Sequence, residues 1–102
     1  MATLEELTDR IRRAAVSGEG LSRTVKLDLK GEGLIHVDGA RVTNDDLPAD
    51  LVVRISRADL VKLGKGELNP MTAMMTGRMK LSDMGLAMSL QGEIQALFEK
   101  AA

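Results

Sequence analysis

Apolar residues at Leu4, Leu7, Ile11, Ala14 and Ala15 follow the 3, 4, 7 spacing of one helical face, and Thr3-x-x-Glu6 ahead of them is a capping-box pattern. The chain therefore opens on an amphipathic helix that ends near Gly18. From Arg23 to Lys30 the period drops to two, with Val25, Leu27 and Leu29 on one face and Thr24, Lys26 and Asp28 on the other. This is a strand with one wet face. Gly31-Glu32-Gly33 breaks it, and Leu34 to Val37 then runs through Asp38-Gly39, a hairpin dipeptide, into Ala40-Arg41-Val42. Three strands in an antiparallel meander result.

Asn44 to Pro48 reads as a polar loop, and Asp50 to Ser56 alternates again with Leu51, Val53 and Ile55 on one face. Ser56-x-x-Asp59 caps a short helix carrying Leu60 and Leu63, ended by Gly64 and Gly66. Asn69-Pro70 opens a further helix of one or two turns, because Asn is a favoured N-cap and the fixed φ of Pro suits the first helical position; Gly77 stops it. Arg78 to Leu81 alternates as a fifth strand. Ser82 or Asp83 then caps one final helix to about Lys100, with Leu86, Leu90, Ile94, Leu97 and Phe98 in a stripe that Met84, Ala87 and Met88 widen. The order of elements predicts an α+β fold with a five-stranded, mainly antiparallel sheet covered by helices.

Length adds that this is one domain over residues 1–102, of a size that buries roughly 65% of its unfolded surface without disulfides or metals. With no Cys, thiol catalysis and Cys-ligated metal sites are excluded, and a reducing cytoplasm is the expected location. No apolar run approaches the ~18 residues of a transmembrane helix, and the first residues show no signal-peptide pattern. Fourteen Lys and Arg are interspersed with 15 Asp and Glu, and the one aromatic is Phe98. A nucleic-acid partner is not expected, since there is neither a basic footprint nor a stacking platform.

Candidate catalytic chemistry is sparse. Gly31-Glu32-Gly33 and Gly64-Lys65-Gly66 do not make a phosphate loop, and there is no nucleophile elbow or HExxH motif. His36 and Asp38 share a strand face, but with no second His they predict a surface histidine near a hairpin rather than a metal or base site. Asp45, Asp46 and Asp50 lack the spacing of a calcium loop. No metal, no cofactor and no enzymatic activity are expected.

The outlier is methionine. Met71, Met74, Met75, Met79, Met84 and Met88 fall within 18 consecutive residues and occupy three successive elements. Met is unbranched and polarizable, so a wall of Met adapts to irregular apolar shapes. Composition alone leaves two readings level: a Met-filled core short of aromatics, or a ligand cavity.

The stretch Gly66-Glu67-Leu68-Asn69-Pro70-Met71-Thr72-Ala73-Met74-Met75-Thr76-Gly77-Arg78-Met79-Lys80-Leu81, followed by Asp83-Met84-Gly85-Leu86-Ala87-Met88, resembles the signature of the sterol carrier protein 2 (SCP2) family. The resemblance is sharp over 66–90 and loose over 4–98. It implies helices and a five-stranded sheet around a hydrophobic cavity, and non-catalytic binding or transfer of a fatty acyl lipid, phospholipid, sterol or isoprenoid quinone. Its matching positions imply a cavity lined by Met71, Met74, Met75, Met79, Leu81, Met84 and Met88, joined by Leu51, Val53, Leu60 and Leu63. The turn Leu81 to Met84 is one residue shorter than the family's common pattern, which implies a mouth of altered geometry. The expected partner is a lipid or other apolar small molecule, with transient membrane contact. The alternative is an accessory module whose apolar groove takes a protein partner or a second copy.

Overall fold

The computed structural model describes residues 3–19 and 21–101; Met1, Ala2, Gly20 and Ala102 lie outside the described residues. Helix α1 (Leu4–Ala14) starts on the predicted capping box, with the Thr3 hydroxyl accepting from the Glu6 amide at 3.1 Å and the Glu6 carboxylate accepting from the Thr3 amide. It runs into a wide turn, Ala15–Glu19, in which Gly18 takes a positive φ. Strands β1 (Val25–Asp28), β2 (Leu34–Asp38) and β3 (Arg41–Thr43) form the antiparallel meander. Between the first two, the backbone at Gly33 calls for glycine. Its φ is +117°, and a Cβ there would meet the Leu4 Cδ2 at 2.6 Å.

Strand β4 (Leu51–Ile55) lies beside β1 and parallel to it, and β5 (Met79–Leu81) closes the sheet antiparallel to β4, giving the order β3-β2-β1-β4-β5. Three of the four pairings are thus antiparallel. The parallel pair follows from the loop after β3, which carries the chain back past β2 before β4 begins.

Register stacks the alternating apolar residues into rows: Leu27 sits opposite Ile35 and Val53, and Val53 opposite Leu81. Against this face pack α1, α2 (Arg57–Gly64) and α5 (Gln91–Ala101), and the buried residues of sheet and helices form one connected core. The other sheet face is partly covered by the loop after β3, where Lys26 Nζ meets Asp46 Oδ1 at 2.8 Å. This loop corrects the reading of His36. The ring is buried, 5% exposed, and its Nε2 lies 3.0 Å from the Pro48 carbonyl oxygen; it is no surface residue, because the loop packs over it.

The predicted single last helix is two: α4 (Met84–Ser89) and α5, separated at Leu90. The Ser89 hydroxyl donates to the Leu86 carbonyl at 2.8 Å, the same oxygen that accepts from the Leu90 amide. Such back-bonding weakens the helical ladder, and Gly92 follows with poor propensity. Leu90 takes φ −98° and ψ 1° and turns into the core.

Candidate functional site

Helix α3 (Pro70–Met75) starts where Asn69 Oδ1 accepts from the Met71 amide at 2.8 Å, with Pro70 in the first turn as the sequence predicts. Helix α4 starts where Asp83 Oδ1 accepts from the Leu86 amide at 3.0 Å. Between these short helices, the end of the sheet and α5 lies a cavity of about 290 Å³. Val53, Met79 and Leu81 line it from the sheet, Leu63 from α2, and Met71 and Met74 from α3. Met84, Ala87 and Met88 line it from α4, and Gln91, Ile94, Gln95 and Phe98 from α5. Met71, Met84 and Met88 line the cavity while being exposed, so it opens to solvent between α3 and α4.

Of the residues predicted for the site, the structure gathers Val53, Leu63, Met71, Met74, Met79, Leu81, Met84 and Met88 around this space. It places three elsewhere. Leu51 is fully buried but pairs with Val25, while β5 reaches only Val53 to Ile55, so Leu51 lies beyond the cavity end of the sheet. Leu60 sits one turn before Leu63 and turns toward Leu7, Ile11 and Ala101 between α1 and α5. Met75 points outward from α3 and is exposed.

Asn69, Pro70, Ala87, Gln91, Ile94, Gln95 and Phe98 line the cavity without having been predicted there. Ile94 and Phe98 belong to the apolar stripe of the last helix, and Gln91 and Gln95 extend it at helical spacing, a signal that polar side chains obscured.

No lining residue is titratable. The polar groups are carboxamides. Gln95 donates to the Leu63 carbonyl at 3.2 Å, tying α5 to α2, whereas the Gln91 side chain makes no hydrogen bond among the described residues. Nor do the described residues contain a group of three His, Asp or Glu able to hold a metal. Asp50 is held below its ordinary value by the hydrogen bond from Arg23, and by those from the Thr24 hydroxyl and amide.

The family model of the SCP-2 sterol transfer family matches residues 1–95. The chain belongs to the SCP-2 family. Among SCP-2 relatives it is similar to sterol carrier protein 2 of Gallus gallus, with 41% identity over 74 residues that make up 71% of this chain and 12% of that protein. Sterol carrier protein 2 of Bos taurus is 41% identical over 54 residues, 52% of this chain and 10% of that one. The match thus spans about a tenth of the length of these curated relatives.

The SCP-2 fold is shared with the crystal structure of sterol carrier protein 2 like 2 from Aedes aegypti, at a TM-score of 0.72 and 21% identity over 87% of this chain and 94% of that one. The solution structure of sterol carrier protein 2 from the same organism, a complex with the C16 fatty acid palmitate, gives a TM-score of 0.68 at 16% identity, covering 90% and 94%. Among the described residues no helix is long and apolar enough to cross a membrane.

Proposed function

We propose that this chain is a single lipid-binding domain that holds one apolar ligand in the methionine-walled cavity and passes it on without chemical change. The observation that carries the reading is the wall itself. Thioethers from α3, β5 and α4 converge on one opening in a member of the SCP-2 sterol transfer family, and among the described residues no acid, base or nucleophile lines the space. Burying an alkyl chain there contributes ~25 cal/mol per Å² of apolar surface removed from water.

The lining narrows the ligand. The cavity of about 290 Å³ is walled by apolar side chains, and the polar side chains lining it are the carboxamides of Asn69, Gln91 and Gln95. A single acyl chain therefore fits with its distal part inside and its polar end at the mouth, where the unengaged Gln91 carboxamide is available. The palmitate complex of the Aedes aegypti relative supports this class of ligand. The three rotatable bonds of each methionine let the same wall adapt to ligands of other apolar shapes. The proposed place of work is the cytoplasm, with which the lack of Cys is compatible.

Met71 and Met88 line the cavity yet are solvent-exposed, so charges placed there are tolerated by the fold. Met71→Asp with Met88→Asp is expected to weaken uptake of a fluorescent fatty acid at least tenfold while leaving circular dichroism and the melting temperature near those of the parent. Unchanged uptake would overturn the cavity assignment.

A further inference from the structure

Phe98 is the one aromatic residue of the chain, and it is buried, 4% exposed. There is open space on two sides of it. One is the methionine-walled cavity, and the other is a void of about 10 Å³ lined by Leu7, Ile11, Leu60, Val61 and Ala101 from α1, α2 and α5. Among the described residues Phe98 alone lines both. Every side chain around the void is apolar, so the space suits an alkyl chain and holds no partner for water.

The two spaces follow one another along the α2 and α5 pair. On α5 the cavity-lining residues run from exposed Gln91 through half-buried Ile94 and Gln95 to buried Phe98, so the cavity deepens toward the ring. From Gln91 to Phe98 the helix rises about 10 Å. Ala101, the next residue on that side of α5, belongs to the void. On α2 the same order holds in reverse, with Leu63 facing the cavity and Leu60, a turn earlier, facing the void. The ring stands between two compartments that its removal would join.

This partition is stiff where the walls are soft. A phenylalanine on a helix has few rotamers, whereas each methionine of the wall has three rotatable bonds. A void of about 10 Å³ is the space of one water-sized sphere and cannot receive a phenyl ring, so the ring has nowhere to swing when a chain pushes against it. Gln95 donates to the Leu63 carbonyl at 3.2 Å a turn before Phe98, which keeps α2 and α5 from parting beside it. We infer that Phe98 is the floor of the cavity and sets the longest apolar chain that the protein buries in full. The inference rests on the lipid-binding reading proposed above and adds a selection rule to it: ligands are sorted by chain length.

The test is the affinity of the whole chain for a series of saturated fatty acids from octanoate to stearate, each kept monomeric and read by displacement of a fluorescent fatty acid. Every methylene that finds buried space adds roughly fourfold to affinity, and one that finds none adds nothing. Wild-type affinity is therefore expected to climb with length and level off where the terminal methyl meets Phe98. Phe98→Ala joins the void to the cavity and should carry the climb to longer chains, with stearate gaining at least about tenfold over wild type and octanoate changing little. Phe98→Leu disturbs the packing less and should move the levelling point in the same direction by a smaller step. Ala101→Leu added to Phe98→Ala refills the opened space and should return the levelling point to the wild-type length. An unchanged levelling point in both Phe98 variants, or a loss of affinity equal at every length, would overturn the floor and leave the ring a packing residue. So would a wild-type climb that continues through stearate, since the ring then gives way. Each of these leaves the lipid-binding reading standing, whereas wild type that binds no acid of the series would sink that reading and the floor with it.

Discussion

The two halves of this molecule use apolar residues in opposite ways. Around α1, β1, β2 and β4 the interior is built from Leu7, Ile11, Leu27, Leu29, Ile35, Leu51 and Ile55, branched side chains that are fully buried. Between residues 69 and 90 six of the large apolar residues are Met against three Leu, and among the described methionines only Met79 is buried. Branched side chains have few rotamers and define one packed shape, whereas thioether chains have many and conform to whatever lies against them. One half specifies the fold. The other trades packing for an apolar surface of adjustable shape, and the cavity sits where the two meet, with Val53 and Leu63 from the first half facing Met74 and Met84 from the second.

Substitution can break this contrast. Ile11→Ala and Leu27→Ala are expected to cost ~2 to 5 kcal/mol each, measured by urea unfolding, because each leaves a cavity in a close-packed interior. Met75→Ala should stay within ~0.5 kcal/mol. Equal costs in the two halves would dissolve the distinction. His36→Ala sharpens it from the other sheet face. It removes the partner of the Pro48 carbonyl and is expected to cost ~1 to 3 kcal/mol with fatty-acid uptake unchanged, which separates a structural histidine from a functional one. Thr3→Ala, which opens the α1 capping box, should cost ~1 kcal/mol of unfolding free energy, read from thermal melts.

The smallest effect concerns acid. The carboxyl of Asp50 is held below its ordinary value by Arg23 and Thr24, so it binds its proton less readily folded than unfolded. Its contribution is present above the unfolded value and lost as pH falls through the folded one. Asp50→Asn should therefore differ in stability from wild type at neutral pH, and the gap should close below the ordinary carboxylate value of ~3.9, as followed by thermal melts across pH.

Local rules made much of this legible. The capping box at Thr3, the period-two runs of β1 and β4 and the Asn69-Pro70 helix start each depend on residues close in sequence, and each stands where the pattern puts it, whereas the hairpin expected at Asp38-Gly39 turns one residue later, at Gly39-Ala40, with Asp38 paired to Arg41. What escaped depends on distance. The burial of His36 comes from a loop packing across the far sheet face, and the displacement of Leu51 from the cavity comes from where β5 ends along β4. The break at Leu90 hid under an uninterrupted apolar stripe. The exposure of Met75 escaped for a related reason: helical spacing groups Met71 with Met75 but does not say whether that face or Ala73 turns inward. The cavity was legible as a cluster of thioethers, and its glutamines were not, because Gln91 and Gln95 hold helical spacing with Ile94 and Phe98 but are polar, so a search for apolar periodicity passes over them.

The central claim is that this wall encloses one apolar ligand. Native mass spectrometry of the freshly purified protein, with analysis of its organic extract and repeated after incubation with palmitate, a phospholipid, a sterol and a quinone, tests it most directly. The account predicts an adduct of one apolar molecule per chain, retained on palmitate loading and lost in the Met71→Asp, Met88→Asp variant. A mass that stays free of adduct under every one of these conditions would contradict it.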